Sequence, residues 1–200
     1  MSKSVDYFMA PQSPWSYMGH QRLVAIARKY GASIQLKPAD IGKVFSMTGG
    51  VPVAQRPPQR QAYRLAELQR WSEFLNIPLN LHPKFFPVAA EPGTKLIIAA
   101  LQKNGTDKAL DLAFALGRAV WSEEKNIADE ATLIDIAEST GLDGKALSAH
   151  AASDTVAADY AKNTEEALHI NVFGVPWYRI DGQVFWGQDR LDFVERLLAR

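Results

Sequence analysis

The tetrapeptide Ser13-Pro14-Trp15-Ser16 follows directly on a strand-like run over residues 5–9, and it does most to limit what the chain can become. A hydroxyl followed by proline reads as a helix start. Serine takes the cap, and proline takes the first helical position, where its missing N–H is no loss. A helix that begins there presents free amides and a partial positive charge at the end of the strand. Leu23, Ile26 and Ala27 keep helical spacing through residues 15–30, and Gly31 stands where a C-terminal cap belongs. Residues 33–36 alternate again as a second strand, ending before Pro38. The chain therefore opens β-α-β.

From Gly49 the pattern changes. Gly49-Gly50-Val51-Pro52 and Arg56-Pro57-Pro58 are loop signals leading into a helix over 59–75, which Ile77-Pro78 ends. Pro83 and Pro87 keep the next stretch irregular. Helices are then predicted over 93–104, 106–123, 129–139, 143–151 and 153–168, broken at Gly105 and Gly141, with Thr106, Asp129, Asp143 and Ser153 as caps. After Gly174 the strand pattern returns. Trp177-Tyr178-Arg179-Ile180 and Gln183-Val184-Phe185-Trp186 flank Asp181-Gly182, a pair that favours a type I′ hairpin turn. A last helix over 191–198 has Asp189 near its start. This order predicts an α/β fold: a thioredoxin-like sheet with a large all-helical insertion. Residues 1–48 and 170–200 would form the sheet domain and 49–169 the inserted helical domain.

Charge and composition exclude several functions. The 22 basic and 22 acidic residues cancel, which gives little support for binding nucleic acid or an anionic membrane. No apolar stretch approaches the ~20 residues of a membrane span. Met1-Ser2-Lys3-Ser4 leads straight into the first strand without the apolar region of a signal peptide. His20, His82, His150 and His169 show no metal-ligand spacing, and no Gly-rich nucleotide loop or Gly-x-Ser-x-Gly elbow is present. There is no cysteine, so disulfides, Cys–zinc sites and a protein-borne thiol nucleophile are all excluded. That composition suits the cytoplasm. Ser13 and Ser16 have the spacing of a thioredoxin-type Cys-x-x-Cys without its redox couple. Such a site cannot exchange disulfides, but it can hold a thiolate that arrives from elsewhere.

Five motifs carry a family resemblance in their order and spacing: Ser13-Pro14-Trp15-Ser16-Tyr17, Gln55-Arg56-Pro57-Pro58, Tyr63 through Glu67-Leu68-Gln69-Arg70-Trp71, Phe173-Gly174-Val175-Pro176, and Trp186-Gly187-Gln188-Asp189-Arg190. Over essentially its whole length the chain resembles the kappa-class glutathione transferases and the bacterial 2-hydroxychromene-2-carboxylate isomerases, relatives of DsbA-type oxidoreductases. Gln69-Arg70-Trp71 and the Trp186 ending look more like the isomerases. In two places the chain departs from the family. Gln55 stands where the family often has Asn, and Gln188 where a smaller Ser or Asn is common.

The resemblance implies a glutathione-dependent isomerase of aromatic degradation, a homodimer acting on a small aromatic carboxylate, with glutathione as cofactor along the sheet edge. Ser13 would donate its hydroxyl to the glutathione sulfur. Lowering a thiol pKa from ~8.5 by about two units needs roughly 2.7 kcal/mol. A hydroxyl donor to a charged acceptor (~1.5–3 kcal/mol) with a helix N-terminus (~0.3–1 kcal/mol) can supply that. Val175-Pro176 would be a cis-proline segment facing Ser13, its Val175 backbone pairing with the cysteinyl unit. Gln188 and Asp189 would receive the γ-glutamyl end, with Arg190 either assisting or solvated. Gln55 and Arg60 lie where the family places further contacts, Arg60 toward the glycyl carboxylate or an acidic substrate. Glu67 reads as a solvated helical charge, and His20 more readily as a surface histidine than as a substrate contact. Most of Trp15, Tyr17, Trp71, Trp177 and Trp186 are expected in the core rather than in a substrate pocket. A kappa-like transferase or peroxidase and a non-catalytic module binding a thiol or peptide are the alternative readings.

Overall fold

The computed structural model describes residues 3–200, so Met1 and Ser2 of the N-terminal lead-in lie outside the described residues. The elements are β1 (Ser4–Met9), α1 (Pro14–Lys29), β2 (Ser33–Pro38), α2 (Ile41–Thr48), α3 (Pro58–Leu75), α4 (Glu91–Asn104), α5 (Thr106–Trp121), α6 (Glu130–Ser139), α7 (Gly144–Ala151), α8 (Asp154–His169), β3 (Trp177–Ile180), β4 (Gln183–Trp186) and α9 (Leu191–Leu198). Short 3-10 turns occupy Val53–Gln55 and Gln188–Arg190.

The strands form one sheet in the order β2-β1-β3-β4, with β1 parallel to β2 and antiparallel to β3. β1 is thus flanked on both sides, and Val5, Tyr7 and Phe8 are wholly buried. Asp181 (φ 49°) and Gly182 (φ 79°) both take left-handed backbone between β3 and β4, the geometry expected of a type I′ turn. Apolar layers cover both faces of the sheet. On one face Val5, Tyr7 and Leu36 join Leu23 of α1 and Leu112, Leu116 and Trp121 of α5 in a continuous core. On the other, Phe8 and Trp177 pack with Val44 of α2 and Ala167 of α8. A charged clasp ties α8 to the sheet. Arg179 of β3 donates from Nε to Asp6 of β1 (2.7 Å) and from Nη2 to Glu166 (3.0 Å), which also receives Lys37 of β2 (2.6 Å).

Asp129, Asp143 and Ser153 cap α6, α7 and α8 as expected, each accepting an amide three residues on. Such caps contribute about 1 kcal/mol each. Thr106 does not cap α5; Gly105, at φ 84°, takes that position and Thr106 is the first helical residue. The second strand runs on through Pro38, which pairs opposite Met9. β2 lies at the sheet edge, where a missing N–H is tolerated. Helix α2 has no counterpart in the sequence reading. Its eight residues start at the Asp40 cap, end on Gly49 at φ 77°, and turn Ile41 and Val44 toward the second core, with only Val44 fully buried. Among the described residues no helix is long and apolar enough to cross a membrane.

Candidate active site

Beyond β1 the chain turns, and Ser13 caps α1 with extended backbone (φ −79°, ψ 120°). Its Oγ accepts the Ser16 amide at 3.2 Å. The first turn of α1 contains no acidic side chain, so no carboxylate of its own offsets the positive end of the helix. Across from it the Val175-Pro176 peptide bond is cis, as the resemblance implied. The Ser13 hydroxyl donates to the Val175 carbonyl at 3.3 Å. That is long for an O–H···O bond, whose usual length is about 2.7–2.8 Å, so a stronger acceptor can readily redirect it. The Val175 amide has no hydrogen-bond partner among the described residues.

An aromatic wall adjoins this segment. Phe173 meets Trp177 and Trp186 edge-on, with centroids 5.1 and 4.7 Å apart. Gly174 is required here, because a Cβ would come within 2.7 Å of the Trp186 indole nitrogen. Tyr17 and Trp177 are in the core, and Trp15 and Trp71 pack against it, as expected of most of these aromatics. Trp186 is the exception at 52% exposed.

The 3-10 turn Gln188–Arg190 precedes α9, so Asp189 lies before that helix rather than in its first turn. Gln188 is buried, and its side chain faces α1. Arg22 donates from Nη1 to the Gln188 Oε1 at 3.0 Å and to its carbonyl at 3.4 Å. What the turn presents outward is the opening of a short helix, whose leading amides have no intrahelical acceptor. The Asp189 carboxylate is exposed and lies 3.4 Å from the Arg190 guanidinium. Gln55 ends the other 3-10 turn and Arg60 lies in the first turns of α3; both are exposed. Among the described residues neither side chain hydrogen-bonds to the Ser13 or Val175 segments. Glu67, expected as a solvated charge, is half-buried and forms an ion pair with Arg70 at 2.6 Å.

His20 is not a surface histidine. It is 2% exposed with Nδ1 3.3 Å from the Tyr7 hydroxyl, and burial pushes its pKa down to about 4.

One residue that touches the Ser13 loop, and two more packed on that residue, were missed in the sequence. Trp121, fully buried at the end of α5, donates its indole N–H to the Gln12 carbonyl at 3.2 Å and so holds the residue before Ser13. Phe86 packs against that indole at 4.8 Å between centroids. The Arg64 guanidinium lies over both rings, 5.3 Å from Phe86 and 5.6 Å from Trp121. The signal for Arg64 was present, since Arg56, Arg60 and Arg64 recur every fourth residue. For Trp121 and Phe86 no local pattern pointed to the site.

A model of the DSBA-like thioredoxin domain matches residues 4–199. A 2-hydroxychromene-2-carboxylate isomerase from Sphingobium xenophagum is 32% identical over 199 residues, covering 99% of each chain. Glutathione S-transferase kappa 1 of Homo sapiens is 24% identical, covering 100% of this chain and 92% of its own. A solved structure of 2-hydroxychromene-2-carboxylate isomerase superposes with a TM-score of 0.80 at 27% identity, covering 98% of this chain and 95% of that one. The chain belongs to the DSBA-like thioredoxin-domain family and, within it, to the group of 2-hydroxychromene-2-carboxylate isomerases and kappa-class glutathione S-transferases.

Proposed function

We propose that this protein is a glutathione-dependent cis-trans isomerase of the 2-hydroxychromene-2-carboxylate type, a cytoplasmic homodimer acting in aromatic degradation. The observation that carries this reading is the Ser13 hydroxyl opposite Val175, at a helix N-terminus with no carboxylate in its first turn, in a chain without cysteine. The donor set fits the tripeptide. It offers a hydroxyl and helix amides for a thiolate, an unpaired amide at Val175 beside Pro176, and an exposed carboxylate at Asp189 for an ammonium. When bound, glutathione supplies a nucleophilic sulfur whose reversible addition to the conjugated ring allows ring opening and bond rotation, and it is regenerated.

The chain's own residues do the rest. Ser13 turns its hydroxyl from the Val175 carbonyl to the sulfur and holds it ionised. Val175 pairs with the cysteinyl backbone. The amides of Gln188 and Asp189 receive the γ-glutamyl carboxylate, with Arg190 beside them, while Asp189 accepts the ammonium. Gln55 and Arg60 take the glycyl end. The kappa-class relatives favour a second reading, transferase or peroxidase, which net consumption of glutathione would distinguish.

The test is ultraviolet difference absorbance of glutathione titrated into the protein at about pH 6.5, some two units below the free thiol's ~8.5. A thiolate band that disappears in Ser13→Ala supports the reading. No binding at millimolar glutathione overturns it.

A further inference from the structure

Positive charge gathers without compensation where α3 begins. The helix starts on Pro57-Pro58 with no side-chain cap and no acidic residue in its first turn. Arg60 and Arg64 lie one turn apart on α3, and Arg56 stands just before the helix in extended backbone (φ −76°, ψ 150°). Among the described residues none of the three forms an ion pair, whereas Arg22, Arg70, Arg118 and Arg179 each meet a carboxylate. The charges also act on one another. Burial and Arg60 lower the Arg56 pKa, and burial followed by Arg56 brings Arg64 down to about 10. Among the described residues Arg28, Arg196 and Arg200 also lack an ion pair, but here the unpaired arginines are clustered and one of them is half-buried on aromatic rings, which points to an anion from outside.

Arg64 is built differently from its neighbours. Its guanidinium is half-buried on the rings of Phe86 and Trp121, and Trp121 in turn grips the Gln12 carbonyl next to Ser13. Arg56 is anchored by its Nε donation to the Val51 carbonyl at 2.7 Å. A guanidinium stacked on aromatic faces keeps its edge N–H groups free, in a fork that matches a carboxylate.

We propose that Arg64, supported by Arg56, is the carboxylate subsite for the organic substrate, distinct from the Arg60 position that serves glutathione. This rests on the isomerase reading, in which the substrate is an aromatic carboxylate. The aromatic platform fixes the guanidinium on the wall that carries Ser13, so that a bound acid is oriented toward the sulfur. An uncharged isostere of that acid gains nothing from Arg64 and is discriminated against.

The experiment is calorimetric titration of the glutathione-free protein with trans-cinnamate and with its amide, beside the glutathione difference spectrum. The wild type should bind the acid about tenfold or more tightly than the amide, the scale of a bidentate charged pair. Arg64→Gln should abolish that preference and leave glutathione affinity unchanged. Arg64→Lys, which keeps the charge and loses the fork, should retain only part of it; should Arg64→Gln not fold, this variant and Arg56→Gln make the same comparison. Equal binding of acid and amide by the wild type, or an unchanged preference in Arg64→Gln, overturns the subsite while leaving the glutathione reading intact. So does a loss of glutathione affinity in Arg64→Gln, which would give the cluster to the tripeptide's own carboxylate. Arg64-dependent binding of cinnamate by a protein that ignores glutathione retains the subsite and removes the isomerase.

Discussion

The Tyr7 hydroxyl lies 3.3 Å from Nδ1 of His20, and both side chains are buried where α1, α5 and the sheet meet. Burial holds the imidazole neutral, its pKa lowered from 6.5 to about 4, while the same burial pushes the Tyr7 phenol up. The unfolded chain binds the His20 proton more readily than the folded one. The stabilisation is therefore fully present above about pH 6.5 and is lost as pH falls toward about 4, by on the order of 3 kcal/mol. Urea unfolding at a series of pH values should show this slope, and His20→Gln should flatten it. An equally steep slope in the variant would assign the acid sensitivity elsewhere.

Ser13→Ala removes two things at once. Losing the cap to the Ser16 amide should lower stability by about 1 kcal/mol, read by thermal or chemical unfolding. Losing the donor to the sulfur should raise the pKa of bound glutathione by about one to two units and cut turnover roughly 10- to 100-fold. Ser13→Thr keeps a hydroxyl and should recover most of both. Unimpaired turnover in a folded Ser13→Ala protein would falsify the assigned role.

Gly19 lets the Gln188 turn close on α1, since a Cβ there would come within 2.7 Å of the Gln188 Cβ and 3.2 Å of the Tyr178 hydroxyl. In an open helix Gly→Ala gains about 1 kcal/mol. Here overpacking of about 1–3 kcal/mol outweighs that gain, so Gly19→Ala should be neutral to destabilising and should weaken glutathione binding through the displaced turn. A clear rise in melting temperature with unchanged glutathione affinity would show that the turn does not need this close approach.

Trp121→Phe deletes the donor to the Gln12 carbonyl and narrows the platform under Arg64. Stability should fall by about 1–3 kcal/mol in denaturant titrations, and Trp121→Ala should lose more, about 3–5 kcal/mol. If Trp121→Phe unfolds like the wild type, the indole bond contributes nothing to holding the Ser13 loop.

Local chemistry made part of this molecule readable in advance. Asp181-Gly182 announces its turn because few residue pairs accept left-handed backbone twice in succession. Ser13-Pro14 announces a helix start because proline needs a position with no amide to donate. Asp129, Asp143 and Ser153 are read from their own side chains. By contrast α2 is two turns long, so its Ile41, Val44 and Phe45 spacing is too brief to stand out from the chain, and Thr106 lost its cap to a glycine that any composition rule would treat as a break. His20 looks like an ordinary polar helix residue until Tyr7 and Phe114 close over it. The wall of Arg64, Phe86 and Trp121 joins three distant segments, and only packing brings them together.

The bonds from Arg22 to Gln188 give α1 a second office. Ser13 caps the helix and Gly19, on which the Gln188 turn closes, stands six residues along it, so the two ends of the cleft are mounted on one rigid rod with a rise of about 1.5 Å per residue, some 9 Å in all. The interval between the Ser13 hydroxyl and the Gln188–Arg190 turn is therefore a calibrated length, set by backbone pitch rather than by loop composition. Loop substitutions can change what the cleft prefers chemically, but a ligand of different span would require resetting the helix itself.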